Sequence, residues 1–159
     1  MKITAVFPGS FDPITRGHES VIKRALPLFD EVYIAVGINA EKKSFFDLDL
    51  RMEWISLVFK NFPQVKVTRY EGLTVDLCRK VGAQYLLRGL RTSADFEFER
   101  SIGQINKKLY PEIETVFFLT DPDYSMLNSS IVRDILRNGG DASQFVPKEL
   151  DLSPYIGKK

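Results

Sequence analysis

The sequence predicts an α/β protein, one domain built on a doubly wound sheet of five parallel strands. Three observations lead there. Five short apolar runs alternate with segments of helical periodicity, and each gap has room for a crossover helix. The length, 159 residues, suits one domain with one main core. Finally, the candidate ligand residues follow the strands, on the rim where an open α/β sheet holds its ligands.

Residues 3–7 (ITAVF) make the apolar run that a buried parallel strand requires. A polar turn, residues 8–13 (PGSFDP), follows it. There Gly9, having no Cβ, would let a ligand approach the backbone, with Ser10 and His18 as donors on either side. Val21, Ile22, Ala25, Leu26 and Phe29 then share one helical stripe, and Pro27 should kink or shorten its end. Residues 31–37 form the second strand, and the loop after it carries Lys42 and Lys43. Asp47 is placed to cap a helix with the stripe Ile55, Val58, Phe59 and Phe62, which Pro63 ends.

Residues 65–70 alternate, as an edge strand or one with an open face does. Thr74 is placed to cap a short helix reaching Val81, with Val75, Cys78 and Val81 inward and Gly82 as terminator. Residues 85–87 begin the fourth strand, and Arg88-Gly89-Leu90-Arg91 leaves it. A longer helix runs from Ser93 or Ala94 to Leu109 on the spacing of Phe98, Ile102, Ile105 and Leu109. Residues 115–119 are the fifth strand. After the loop 120–128, Ser129-Ser130 opens a helix that Gly139-Gly140 stops. The tail, residues 141–159 with Pro147 and Pro154, is expected to pack as short helical turns on a domain spanning 1–159.

Composition narrows the function. Net charge is +1 and the basic runs are mere pairs, so no extended field invites nucleic acid. Cys78 is the sole cysteine, which excludes an internal disulfide or a cysteine metal cluster; it reads as a small buried hydrophobe. No run approaches the roughly 20 apolar residues of a membrane span, and no signal-peptide pattern opens the chain, so a cytoplasmic protein without a membrane partner is expected. The absence of G-x-G-x-x-G and of G-x-x-x-x-G-K-[ST] argues against a dinucleotide dehydrogenase and a P-loop enzyme.

What remains is a set of neutral and cationic donors: Ser10, His18, Lys42, Arg88, Arg91 and Ser129-Ser130. Such a set suits transfer between phosphates. A phosphate monoester is already anionic near neutral pH and needs no strong base to attack phosphorus. The protein must align two repelling anions and stabilise the charge that develops. Mg²⁺ as cofactor would neutralise the phosphates, with no protein ligand named for it.

The segments P-G-S-F-D-P-I-T-R-G-H, R-G-L-R, A-D-F-E-F-E and Y-S-M-L-N-S-S-I-V-R occur in this order along nearly the whole chain. Together they resemble the T/H-x-G-H nucleotidyltransferases of Rossmann-like fold, specifically the phosphopantetheine adenylyltransferase family. The resemblance implies direct in-line transfer of AMP from ATP to 4′-phosphopantetheine, without a covalent intermediate, giving dephospho-coenzyme A and pyrophosphate. By that resemblance His18, in Thr15-Arg16-Gly17-His18, donates to the α-phosphate in the transition state. Ser10, in place of the usual threonine, serves both substrates. Lys42 meets the transferred and attacking phosphates, Arg91 the phosphates of ATP, and Arg88 the acceptor's phosphate.

The resemblance further implies ATP contacts at Phe11, Gly89, Leu90 and Glu99. Tyr124, Ser125, Met126 and Leu127 would wrap the adenine, and Asn128, Ser129 and Ser130 would serve the β- and γ-phosphates. Asn128 replaces the usual serine. Leu73, Thr74, Ile102 and Asn106 would hold the pantetheine arm beside Phe98, which replaces the usual tyrosine. A homohexamer built as a dimer of trimers, and feedback binding of coenzyme A, are also implied. The same phosphate machinery leaves two alternatives open: a sister enzyme such as nicotinamide-mononucleotide adenylyltransferase or an alcohol-phosphate cytidylyltransferase, and a non-catalytic nucleotide-binding domain.

Overall fold

The computed structural model describes residues 1–158, and its centre is strand β1 (Thr4–Gly9). On one side β1 pairs with β2 (Glu31–Gly37) and on the other with β4 (Tyr85–Leu90). β3 (Val65–Tyr70) and β5 (Glu114–Leu119) form the edges of an all-parallel sheet in the order β3-β2-β1-β4-β5. The fold is thus a single α/β domain with a doubly wound sheet.

The chain winds outward from β1 to β3, then returns to the middle at β4. Strand order therefore reverses between β1 and β4, and a crevice forms at their carboxyl ends. The register shows where it opens. β1 stays paired with β2 from Thr4 to Gly9, but its ladder with β4 consists of Ala5↔Tyr85 and Val6↔Leu86. Beyond that point the two strands diverge.

Alternation along the strands divides the apolar residues between two faces. Ala5 and Phe7 join the larger core with helices α1 (Arg16–Ala25), α2 (Leu48–Val58) and α5 (Ser129–Arg137), to which the tail adds Val146, Leu150 and Leu152. Val6 joins a smaller core with Leu77 and Cys78 of α3 (Thr74–Val81). Trp54 is 5% exposed and belongs to the larger core. Burial raises the Cys78 thiol to a pKa of about 11, as for a packing group. The tail contains 3-10 turns at Ser143–Phe145 and Ser153–Tyr155.

Several boundaries differ from expectation. Pro8-Gly9 and Arg88-Gly89-Leu90 are the last residues of β1 and β4, not turns, because their neighbours continue the ladder at Gly9↔Val36 and Leu90↔Leu119. The space that Gly9 leaves is used by the protein itself: a Cβ there would lie 3.1 Å from the ring of Phe11. Phe11 takes the left-handed φ of 46° that folds its ring back. As expected of Pro27, α1 ends early and gives way to a 3-10 turn, Leu26–Leu28. α2 stops at Val58, short of Pro63, and Asp47 makes no capping bond with its side chain. At α3 the cap position is Leu73; the Thr74 hydroxyl instead pairs with that of Tyr70 at 2.8 Å.

Helix α4 (Ser93–Leu109) has the expected bounds and no buried residue. Its stripe is in solvent: Phe98 is 67% exposed and Ile105 57%.

Candidate active site

The crevice between β1 and β4 is a cavity of about 250 Å³. Its floor is made by the ends of those strands, one wall by the first turn of α1, and the other by Asp95 and Glu99 of α4. His18 enters from α1, and its orientation follows from how that helix starts. Thr15 is the N-cap, and its hydroxyl accepts from the His18 backbone N–H at 3.3 Å. In return the Thr15 N–H donates to His18 Nδ1 at 3.0 Å, which completes a reciprocal capping box. Nδ1 is therefore an acceptor, and the neutral ring carries its proton on Nε2. Phe11 and Phe7 pack edge-on against the imidazole, with centroids 5.1 and 6.4 Å away.

Burial, together with the guanidinium groups of Arg88 and Arg91, lowers the His18 pKa to about 4. At neutral pH the crevice thus presents an uncharged N–H donor alongside the Arg88 and Arg91 cations.

Arg88 spans the gap that the strands leave. From β4 it donates to the Pro8 carbonyl on β1, while its Nε and Nη2 hold both Glu99 oxygens at 3.0 and 2.7 Å. Three of a guanidinium's five N–H groups are thus engaged, and the remainder are open to a ligand. Arg91 is steadied by Asp95, Nε to Oδ2 at 3.3 Å, and by the Leu127 carbonyl at 3.4 Å. Sequence reading placed Glu99 against nucleotide and did not foresee its pairing with Arg88. It also missed Asp95, although Arg91 and Asp95 stand at the i,i+4 spacing of helical ion pairs.

The sequence-derived residues divide among three spaces. Ser10, Phe11, His18, Arg88, Gly89, Arg91, Glu99, Leu127, Asn128 and Ser129 line the crevice. Thr74, Ile102 and Asn106 line a second cavity of about 190 Å³, which adjoins the first through Pro8, Gly9, Arg88 and Glu99. Gly103 of α4 and the strand residues Tyr70, Leu86 and Thr115 complete that cavity and escaped the sequence reading, since each looks like an ordinary residue of its element. Lys42 lines a third space, which meets the crevice at Ser10.

Other expected residues lie outside these cavities. Phe98 is on the outer face of α4: the face toward the sheet runs through Asp95, Glu99, Ile102 and Asn106, and the next position along a helix turns away by about 100°. Leu73 is 55% exposed at the start of α3, and Met126 is 84% exposed. Leu90 is 9% exposed and lines none of the three. Tyr124 packs against the larger core, and Ser125 Oγ donates to the Pro122 carbonyl. Ser130 accepts from Arg133 at 3.0 Å. Asn128 serves helix α5 locally. Its Oδ1 caps α5 by accepting from the Ile131 N–H at 2.8 Å, while Ser129 Oγ donates to the Pro13 carbonyl at 2.8 Å.

Residues 6–135 match the family described as cytidylyltransferase-like. A phosphopantetheine adenylyltransferase of Flavobacterium psychrophilum is 57% identical over 144 residues, covering 91% of this chain and 95% of that one. One from Lachnoclostridium phytofermentans is 49% identical over 162 residues, covering 100% and 99%. This chain belongs to the phosphopantetheine adenylyltransferase family. The fold is shared more widely: the structure of a bifunctional NMN adenylyltransferase/ADP ribose pyrophosphatase from Francisella tularensis superposes with a TM-score of 0.66 at 18% identity. That match covers 92% of this chain and 45% of the other. Among the described residues no helix is long and apolar enough to cross a membrane.

Proposed function

We propose that the crevice transfers AMP from ATP to 4′-phosphopantetheine, yielding dephospho-coenzyme A and pyrophosphate in the cytoplasm. One observation carries the reading: a neutral, pre-oriented His18 donor shares the crevice with Arg88 and Arg91, and the crevice adjoins a second cavity at Arg88. The acceptor's arm occupies that second cavity along Thr74, Ile102 and Asn106, and its phosphate meets the open N–H groups of Arg88. An oxygen of this phosphate attacks the α-phosphorus. The bond from phosphorus to the bridging oxygen breaks, and its electron pair leaves with pyrophosphate.

His18 Nε2–H donates to a non-bridging oxygen as charge gathers there, and the fixed ring needs no reorganisation at that moment. Arg91, Ser10 and Lys42 hold the remaining phosphate oxygens, while the N–H groups at the start of α5 face the far end of ATP. No side chain has to remove a proton, because the attacking group is already anionic.

Mg²⁺ enters as part of this proposal. Asp95 and Glu99, the acids of the crevice, are engaged by Arg91 and Arg88, so the substrate phosphates themselves are the fitting ligands. When bound there it would offset the repulsion between the two anions.

The exposed stripe of α4 supports assembly through this face, and we assign the chain to a homohexamer made of two trimers. Coenzyme A shares the pantetheine arm with the substrate, which supports its binding as a feedback ligand in the second cavity.

The test is pyrophosphate release from ATP and Mg²⁺, with and without 4′-phosphopantetheine, combined with mass analysis of the product. Acceptor-dependent release with formation of dephospho-coenzyme A is expected. Release with nicotinamide mononucleotide or an alcohol phosphate instead would replace the acceptor, and ATP binding without release would leave only a nucleotide-binding domain.

A further inference from the structure

The third space, about 710 Å³, lies between the loop after β2 and helix α5. Five cationic side chains face it: Lys42, Lys43, Arg51, Arg133 and Arg137. Two carboxylates, Asp12 and Asp47, oppose them. A chain with a net charge of only +1 has therefore gathered a local excess of positive charge in one concavity. Low-dielectric walls focus such a field on anions.

The frame of this basin is built from buried polar groups. Asp12 is 6% exposed, and its two oxygens accept the backbone N–H groups of Phe45 and Phe46 at 2.8 and 2.9 Å. Arg51, also 6% exposed, donates to the carbonyls of Phe46 and Ser10 at 3.0 and 2.7 Å and to Ser44 Oγ at 3.3 Å. These bonds fasten the lysine-bearing loop to the turn that carries Ser10. Arg133 ties in α5, donating to the Asp12 carbonyl at 2.8 Å. The Asp12 carboxylate is thus directed at backbone and does not neutralise the outer cations. Lys42, Lys43 and Arg137 form no ion pair among the described residues; Arg137 lies over the Phe45 ring at 5.5 Å.

Position gives the basin a direction. The second cavity joins the crevice through Pro8, Gly9, Arg88 and Glu99, while the basin joins it at Ser10. A phosphoryl or nucleotidyl group is displaced with the attacking and leaving oxygens roughly in line. Helix α5 lines the crevice at Ser129 and the basin at Arg133 and Arg137, so a leaving group released at the start of α5 has the basin along the same helix.

We infer that the basin is a receiving site for the pyrophosphate leaving group, with Lys43 and Arg137 as its outer anchors. Pyrophosphate is compact and multiply charged, and it gains from several cations that need not share one geometry. The inference rests on the adenylyl-transfer reading. It adds that product leaves through a site distinct from the one that holds ATP.

The test is calorimetric titration of the full-length protein with inorganic pyrophosphate, for wild type, K43Q, R137Q, the double variant and R137K. Each variant is first matched to wild type in its thermal melt, since Arg137 also packs on Phe45. Each glutamine substitution is expected to weaken pyrophosphate binding about fivefold, near 1 kcal/mol, and the double variant at least tenfold. R137K should retain most of the affinity. In steady state, the inhibition constant for pyrophosphate should rise by the same factors, with KM for ATP and for the acceptor within twofold of wild type.

Pyrophosphate affinity within twofold of wild type in the double variant would overturn the inference. An equal rise in the KM for ATP would do so too, because the two side chains would then serve the bound triphosphate. Binding is measured without turnover, so the two proposals fail separately. Arg137-dependent binding in a protein inert toward 4′-phosphopantetheine would keep the anion site and remove the reaction. Normal turnover with insensitive binding would do the reverse.

Discussion

Helix α1 presses Val21, Ile22 and Ala25 into the core, whereas α4 leaves Phe98, Ile105 and Leu109 in solvent. Both helices are amphipathic, so periodicity alone treats them alike. The difference is what lies opposite. α1 crosses a sheet face already lined by Ala5 and Phe7, and its burial holds the capping box that aims His18. α4 turns Glu99, Ile102 and Asn106 toward two cavities, which leaves Phe98, Ile105 and Leu109 exposed among the described residues. One helix is positioned by its own core and carries the fixed donor. The other bounds the two cavities and leaves an apolar stripe exposed.

The sharpest way to break this contrast is His18→Ala. Loss of one preorganised donor should reduce kcat about a hundredfold, roughly 3 kcal/mol, with ATP binding nearly unchanged. Steady-state kinetics beside ATP titration measure both, and near-normal kcat would remove His18 from the chemistry. On the α4 side, Arg88→Gln strips Glu99 of its cation, and the Glu99 side chain is only 12% exposed. The acceptor's KM should rise by roughly thirtyfold, about 2 kcal/mol, and well beyond any change for ATP. Equal effects on both substrates would contradict the assignment of Arg88 to the acceptor.

Ile105→Glu probes the outer face of α4. It should lower the solution mass by removing about 1–2 kcal/mol of apolar burial per contact, while the isolated fold keeps its far-ultraviolet spectrum. An unchanged mass in light scattering would separate the stripe from assembly.

The smallest effect concerns pH. His18 titrates near 6.5 when unfolded and at about 4 in the folded chain. Between these values the unfolded state binds more protons, so stability from this group is complete above pH 6.5 and declines as pH falls toward 4. At pH 5.5 the loss is about 1 kcal/mol. Urea melts at pH 7.0 and 5.5 should show it in wild type and not in His18→Gln; the same slope in both would place its origin elsewhere.

Much of this was legible along the chain. Apolar runs, glycine terminators and stripe spacing identify five strands and five helices, because each reports local geometry and one-sided burial. Ser10, His18, Arg88 and Arg91 could be singled out as donors suited to phosphates, since their chemistry needs no neighbour to be recognised. Even Asn128, an apparent departure, follows a local rule once seen as the N-cap of α5.

Tertiary structure alone decided how those donors are set. The reversal of strand order between β1 and β4 opens the crevice, and no residue pattern announces where two distant strands diverge. Arg88 meets Glu99 across 11 positions and reaches Pro8 across 80, and such pairings depend on the path of the whole chain. The same holds for Asp12 and Arg51, whose burial turns two surface-type residues into the frame of a cationic basin. Sequence determines which faces are apolar and which groups can donate. Only the assembled sheet determines what stands opposite each, because packing and electrostatics act through space rather than along the chain.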